Sequence, residues 1–258
     1  MAERLKILTL ARDLKRRRAR EREGAFVAEG IRTCEELLAS GLSIRGALVG
    51  PQLATTERGR RLREALDRRG VQTTEVSERD FASAADTDTP QGVLGIAMIP
   101  DRKLAELPDR DSLRFIVLDA IQDPGNVGTI LRTAAALGAD ATIALPGTAD
   151  IWNAKVVRAA VGTAFRHPVI SGDWNDIDPF FRLGRIELWG ADASGAPIGR
   201  ALTAPARLAL AVGNEGAGLS DGVRGRAAKL VSLPIAPVVE SLNVAIAAGI
   251  LLYELRPQ

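Results

Sequence analysis

The stretch RFIVLDAIQDPGNVGTILRTAAALGADATIALPG, residues 114–147, decides the fold. RFIVLD and TIALPG are apolar runs of strand length, and Ile130, Ala134 and Leu137 recur between them at helical spacing. That spacing predicts a helix from about Gly128 to Leu137, and strand, helix and strand together make a βαβ unit with parallel strands. The loop AIQDPGNV then stands at the carboxyl end of the first strand, where open α/β sheets place ligands. Asn126 occupies the position of a helix N-cap. Arg132, at ~100° per residue, points nearly opposite the apolar face. It is therefore open to a partner, a phosphate or water.

Downstream, NAKVVRAAVGTAF is predicted helical, and RIELWGAD and RLALAV are further strands. RLALAV runs into GNEGAGLS, a Gly-rich turn whose backbone can approach a ligand closely. The turn lacks both the G-x-G-x-x-G dinucleotide fingerprint and a phosphate loop ending in GK[ST], which disfavours a dinucleotide-dependent oxidoreductase. A helix and the strand LVSLP follow, then VVESLNVAIAAGILLYEL, residues 238–255. From Val244 nearly every residue is apolar or small until Glu254. A helix apolar all round is expected inside the protein, and this one is shorter than the ~20 residues of a membrane span. Ser241 and Asn243 suit its start, where free N–H groups and the positive dipole end can hold a polar ligand.

Upstream, a strand at Phe26–Ala28 and a helix from Ile31 to Ser40, ended by Gly41, open a smaller alternating pattern. IRGALVG, VQTTEV and DTPQGVLGIAMIP are its other strands, with TERGRRLREALDRRG an exposed helix turning Leu62, Ala65 and Leu66 inward. These elements predict a small α/β domain over 24–99, a linker over 100–112 and a second domain over 113–258.

Of 258 residues 34 are basic and 32 acidic, so net charge says little about partners. Its distribution says more, because Arg4, Lys6, Arg12, Lys15, Arg16, Arg17, Arg18, Arg20 and Arg22 crowd the first 23 residues against Asp13 and Glu21. Such a basic arm suits phosphate binding, with Arg16, Arg17 and Arg18 as its centre, though a solvated helix has the same composition. One cysteine, Cys34, excludes an intramolecular disulfide, and one histidine, His167, excludes a His-cluster metal site. No signal peptide is evident, and a cytoplasmic protein is expected.

DPGNVGTILRTAAALGA, LAVGNEGAGLS and LPIAPVVESLNVAIAAGILLYE resemble, in that order and spacing, the three motifs of the SpoU (TrmH) family of RNA ribose 2′-O-methyltransferases in the SPOUT superfamily. NAKVVRAAVGTAFRHPV is similar to the family's intervening segment, and FVAEGIRTCEELLASG and DTPQGVLGIA resemble its accessory L30e-like RNA-binding domain. The resemblance implies an α/β chain whose C-terminal domain carries a deep trefoil knot. It further implies S-adenosylmethionine as cofactor, no metal, and a homodimer in which two subunits build each active site. The methyl acceptor implied is an RNA ribose 2′-hydroxyl, most of all in 23S rRNA. Transfer RNA, or a non-catalytic RNA-binding protein that kept the fold, are the alternatives.

By position Asn126, Arg132, Glu215, Ser241 and Asn243 match the family's catalytic polar residues. Gly213, Leu233, Leu242 and Asn243 fall where its cofactor contacts arise. Arg132 is the family's candidate base, yet a guanidinium is a poor proton acceptor at neutral pH, so a charge clamp stays open beside it. Two departures stand out. Pro237 replaces a usual Gly in the third motif, and Ala160 a common Ser.

Overall fold

Two separate sheets organise the chain in the computed structural model, which describes residues 2–199 and 202–256 and side chains from Lys6 onward. One compact unit comprises Met1–Asp101 with Asp150–Arg166, the other Arg102–Ala149 with His167–Gln258.

The first unit runs α1 (Ala2–Asp13), α2 (Arg17–Glu23), β1 (Ala25–Glu29), α3 (Ile31–Ser40), β2 (Ile44–Val49), α4 (Glu57–Arg68), β3 (Thr73–Glu75), α5 (Glu78–Ala84) and β4 (Val93–Met98). Strand order is β1-β4-β2-β3, with β4 antiparallel to both neighbours and β2 parallel to β3. Alternate residues of the strands serve opposite faces. Val93 and Ala97 join Phe26, Cys34, Leu37 and Leu62 on one face, while Leu94 and Ile96 join Leu8, Ala11, Leu14 and Phe81 on the other. Both faces are covered, so β1 is buried throughout and its period of two is invisible in the sequence.

The first 23 residues therefore do not stand apart as an arm, because α1 closes one face of the sheet. Arg20 is likewise no phosphate-facing residue: it is buried, pairs with Asp150 and donates to the carbonyls of Leu14 and Lys15. Arg16, Arg17 and Arg18 are exposed, whereas the Arg4 side chain lies outside the described residues. Cys34 is a core residue, its thiol pushed up to about 12 by burial.

Residues 150–166 complete this unit rather than the second one. Helix α7, numbered by its place in the chain, is Ala154–Ala159 and ends early because Val161 and Gly162 turn left-handed, at φ 50° and 73°. Trp152 and Phe165 stack on Phe26, with ring centroids 4.6 and 5.4 Å away. Ala160 is fully buried here, where a serine hydroxyl would need a partner.

The second unit holds β5 (Leu113–Asp119), α6 (Pro124–Ala136), β6 (Ala141–Ala144), β7 (Val169–Ser171), α8 (Trp174–Leu183), β8 (Glu187–Pro197), β9 (Arg207–Gly213), α9 (Asp221–Arg224), β10 (Lys229–Ser232) and α10 (Val244–Glu254). Its strands are all parallel, in the order β10-β8-β9-β5-β6-β7. The expected linker partly belongs to this unit, since Leu104 and Leu107 pack against its core. Helix α8, which charges and Pro179 conceal in the sequence, places Ile177 and Phe181 in the same core. It ends in a Schellman turn: Ile186 N–H donates to the Phe181 carbonyl at 2.9 Å and Arg185 N–H to Arg182 at 3.2 Å. The left-handed residue of that turn is Arg185, at φ 49°, a conformation costing a non-glycine residue about 1–2 kcal/mol.

Helix α10 corrects an expectation. It buries Ala245, Ala248, Leu251 and Leu252 but leaves Ile246, Ile250 and Tyr253 exposed, because α6 and β9 cover only one side of it within the chain. Among the described residues no helix is long and apolar enough to cross a membrane, and no group of three or more His, Cys, Asp or Glu is placed to hold a metal ion.

Buried His167 lies 2.9 Å from the Thr142 hydroxyl, and its pKa falls from 6.5 to about 4 through burial and the nearby Arg102 charge. Between those values the unfolded chain binds a proton that the folded one refuses. Stability should therefore drop as pH falls from 6.5 to 4, by up to about 3 kcal/mol, and change no further from this group below that. Denaturant midpoints across that window should slope less in His167→Gln; equal slopes would remove the assignment.

Candidate active site

Three loops at the carboxyl ends of β5, β9 and β10 converge on one side-chain chain. Asp123, not Asn126, caps α6, accepting from Asn126 N–H at 2.8 Å with Pro124 in the first turn. Asn126 is thus a first-turn residue whose amide is free to reach outward. Its Nδ2 donates to Glu215 Oε1 at 2.9 Å, and its Oδ1 accepts from Asn243 Nδ2 at 2.9 Å. Asn243 meanwhile caps α10, accepting from Ala245 and Ile246 N–H at 2.9 and 3.3 Å. Burial alone would raise the Glu215 carboxyl. Hydrogen bonds from Asn126 and from the backbone N–H groups of Glu215, Gln122 and Asp123 outweigh it, so its pKa lies below the ordinary value.

Beside this chain opens a cleft of about 400 Å³. Gly213, Glu215, Leu233, Ser241, Leu242 and Asn243 line it, whereas Asn126 does not. Gly213 is obligatory, since a Cβ there would stand 2.3 Å from the Gly218 carbonyl carbon, across the Asn214–Gly218 bridge that closes the loop. The backbone N–H groups of Leu233 and Leu242 have no hydrogen-bond partner within the chain among the described residues, so both are available to a ligand edge. Pro237 sits in a turn closed by Val239 N–H donating to the Ala236 carbonyl at 3.2 Å. It takes the second place of that turn, which the fixed φ of proline favours.

Arg132 does not line the cleft. It projects from α6 as an exposed side chain without a hydrogen-bond or ion-pair partner among the described residues.

Residues that sequence reasoning missed form the opposite wall. The pairing of β10 with β8 jumps from Leu230↔Gly190 to Val231↔Ala196, looping out residues 191–195. Asp192 in that bulge faces the cleft and accepts from Ser194 N–H at 2.9 Å and from Arg224. Burial raises its pKa, but the Ser194 and Arg224 interactions more than offset this and hold the carboxyl below its ordinary value. Arg224 Nε also donates to the Leu219 carbonyl at 3.2 Å, bracketing the bulge to the loop after β9. No spacing in the sequence signals a bulge of this kind.

The lining joins apolar walls, Val212, Val231, Ile235 and Leu251 among them, to three carboxylates, Asp192, Glu215 and Glu240, with no Lys or Arg. Such a surface suits an organic cation that also carries apolar surface. It opposes a pyrophosphate, which weighs against dinucleotides independently of the missing fingerprint.

A family model described as SpoU rRNA methylase matches residues 114–253, and an MRM3-like substrate-binding domain matches residues 6–95. The 23S rRNA (guanosine(2553)-2′-O)-methyltransferase RlmP of Bacillus subtilis is 34% identical over 241 residues, covering 93% of this chain and 92% of that protein. An AdoMet-bound rRNA methyltransferase from Sinorhizobium meliloti superposes with TM-score 0.83 at 30% identity, over 96% of this chain and 93% of the other. The SpoU methyltransferase AviRb of Streptomyces viridochromogenes, in complex with AdoMet, gives 0.85 at 28% identity, over 96% and 95%. With its three loops joined through Asn126, Glu215 and Asn243 and a substrate-binding domain preceding them in sequence, the chain belongs to the SpoU rRNA methylase family.

Proposed function

We propose that this S-adenosylmethionine-dependent enzyme methylates a ribose 2′-hydroxyl of 23S rRNA, working in the cytoplasm as a homodimer. The observation that carries the reading is the Asn243–Asn126–Glu215 chain at the rim of a cation-suited cleft. Relatives named as 23S rRNA 2′-O-methyltransferases support the acceptor. Unsatisfied donors at Leu233 and Leu242, the close backbone of Gly213 and the negative lining together fit S-adenosylmethionine. The trefoil knot and the two-subunit site carry over with the family as part of the same reading.

When bound, the cofactor supplies a methyl group on a sulfonium, a good leaving group. The protein's own work is then alignment and charge. Asn126 and Asn243 lock the three loops so that Ser241 and Glu215 orient the ribose, and near-attack alignment contributes on the order of 7–11 kcal/mol. Arg132 is assigned as a charge clamp, because a guanidinium keeps its proton at neutral pH and stabilises the oxygen as the hydroxyl proton leaves to water. Dimerisation is supported by the uncovered face of α10, where Ile246 and Tyr253 are 56% and 50% exposed.

Nucleoside mass spectrometry of rRNA treated with the purified enzyme should reveal a ribose-methylated nucleotide in 23S rRNA. Methyl on a base would overturn the reaction. Modified transfer RNA with untouched rRNA would overturn only the acceptor.

Phosphate contacts are proposed for Arg16, Arg17 and Arg18. Arg16 pairs with Asp13 and Arg17 with Glu21, exposed pairs that bind weakly and exchange readily for a phosphate. Arg18 has no partner among the described residues. Neutralising all three with glutamine should lower the log–log salt slope of RNA binding by ~0.7–0.9 for each phosphate no longer neutralised. An unchanged slope would leave them a solvated surface.

A further inference from the structure

A second cavity of the catalytic unit, about 420 Å³, lies beside the end of α8 and the start of β8. The 191–195 bulge and the cofactor cleft lie at the other end of β8, so the two sites are distinct. Its floor is apolar, made by Phe181, Ile186 and Leu188. Arginines edge it. Arg226 is fixed there, donating to Asp178 at 2.9 and 3.0 Å and lying 4.8 Å above the Trp174 ring. Asp178 is the only carboxylate in the lining and is thereby answered. Arg182 and Arg185 are exposed, and their side chains have no hydrogen-bond or ion-pair partner among the described residues.

Arg182 alone has an ordinary explanation, since a cation in the last turn complements the helix dipole. Arg185 does not. It holds the left-handed place of the Schellman turn, where glycine or asparagine makes the same backbone bonds without strain, and its side chain has no hydrogen bond or ion pair among the described residues to offset the cost. Strain kept at an exposed position points to what the side chain does there.

We propose that this groove is a second seat for the RNA substrate, with Arg182 and Arg185 holding phosphates while a base covers the apolar floor beside the Arg226–Trp174 stack. Guanidinium groups around an apolar platform are what single-stranded RNA uses, phosphate by phosphate and base by base. The inference rests on the RNA reading above. It adds an anchor remote from the methyl transfer, one that holds RNA without touching the reacting atoms.

Arg185→Gly is the informative variant because its two effects oppose one another. Loss of the strain should raise Tm by about 2–4 °C. Loss of the guanidinium should weaken binding of a short labelled RNA of mixed sequence several-fold and lower its log–log salt slope by ~0.7. S-adenosylmethionine affinity and kcat at saturating RNA should stay unchanged, which a merely loosened fold would not allow. Arg182→Gln with Arg185→Gln should lower the slope by about twice as much. RNA affinity and slope unaltered in both variants would overturn the proposal. So would polyglutamate competing as well as RNA of equal charge, which would make the groove a seat for an acidic protein. If the wild-type enzyme methylates no ribose while these variants still lose RNA affinity, the functional reading fails and the groove stands.

Discussion

Replacing Arg132 with alanine should lower turnover by at least ~10²-fold while leaving folding and S-adenosylmethionine affinity nearly unchanged. The separation follows from where α6 puts the residue. Val127, Ile130, Leu131 and Ala134 take the buried face, while Arg132 projects into solvent and outside the cleft lining. Its removal therefore leaves no cavity, orphans no carboxylate and takes nothing from the cofactor. On the charge-clamp proposal, only the charge offered to the reacting oxygen disappears. Arg132→Lys keeps that charge, and a clamp predicts partial rescue, whereas a planar bidentate contact would not tolerate it. A pH–rate profile displaced in the lysine variant would instead favour Arg132 as the base. Near-normal turnover in Arg132→Ala would show that the family's catalytic assignment fails at its main position.

A mixing experiment tests the shared active site with comparable leverage. Arg132→Ala and Ser241→Ala should each be inactive alone. If Arg132 serves the cleft of the partner subunit, half the dimers formed on random mixing carry one intact site, and about a quarter of wild-type activity should return. No recovery after confirmed subunit exchange would place Arg132 and Ser241 in the same subunit's site. Ile250→Asp puts a charge on the exposed face of α10 and should yield an inactive monomer by light scattering. A fully active monomer would refute the dimeric site altogether.

What the sequence discloses depends on how local each signal is. Helix α3 can be bounded to the residue because Gly41, at φ 79°, must end it, and RFIVLD announces its strand by composition alone. Gly213, Glu215, Leu233, Ser241, Leu242 and Asn243 are legible as parts of motifs, and the cleft gathers them. The link through Asn126 is not legible as a link, since its partners lie 89 and 117 residues away. Asn126 itself reads as the cap, whereas Asp123 starts the helix earlier. Asp192 escapes because its position depends on a pairing register, which only the folded sheet defines. Helix α8 escapes for the opposite reason: local features, Pro179 and a run of acidic residues, mask an apolar face that tertiary packing rewards. Arg20 looks like its neighbours in sequence, and its burial against Asp150 and the Leu14 and Lys15 carbonyls distinguishes it only in the fold.

Residues 150–166 set an order of events during synthesis. The first unit's core includes Trp152, Val157 and Phe165, and buried Arg20 waits for Asp150. A nascent chain released only to Asp101 would hold a sheet with Phe26 missing both of its aromatic neighbours. The substrate-binding unit, although it comes first, cannot finish folding until more than half of the chain has left the ribosome. Fragments cut at the apparent linker should be aggregation-prone for the same reason, and a usable isolated unit would have to rejoin 150–166 to the first 101 residues by a designed connection.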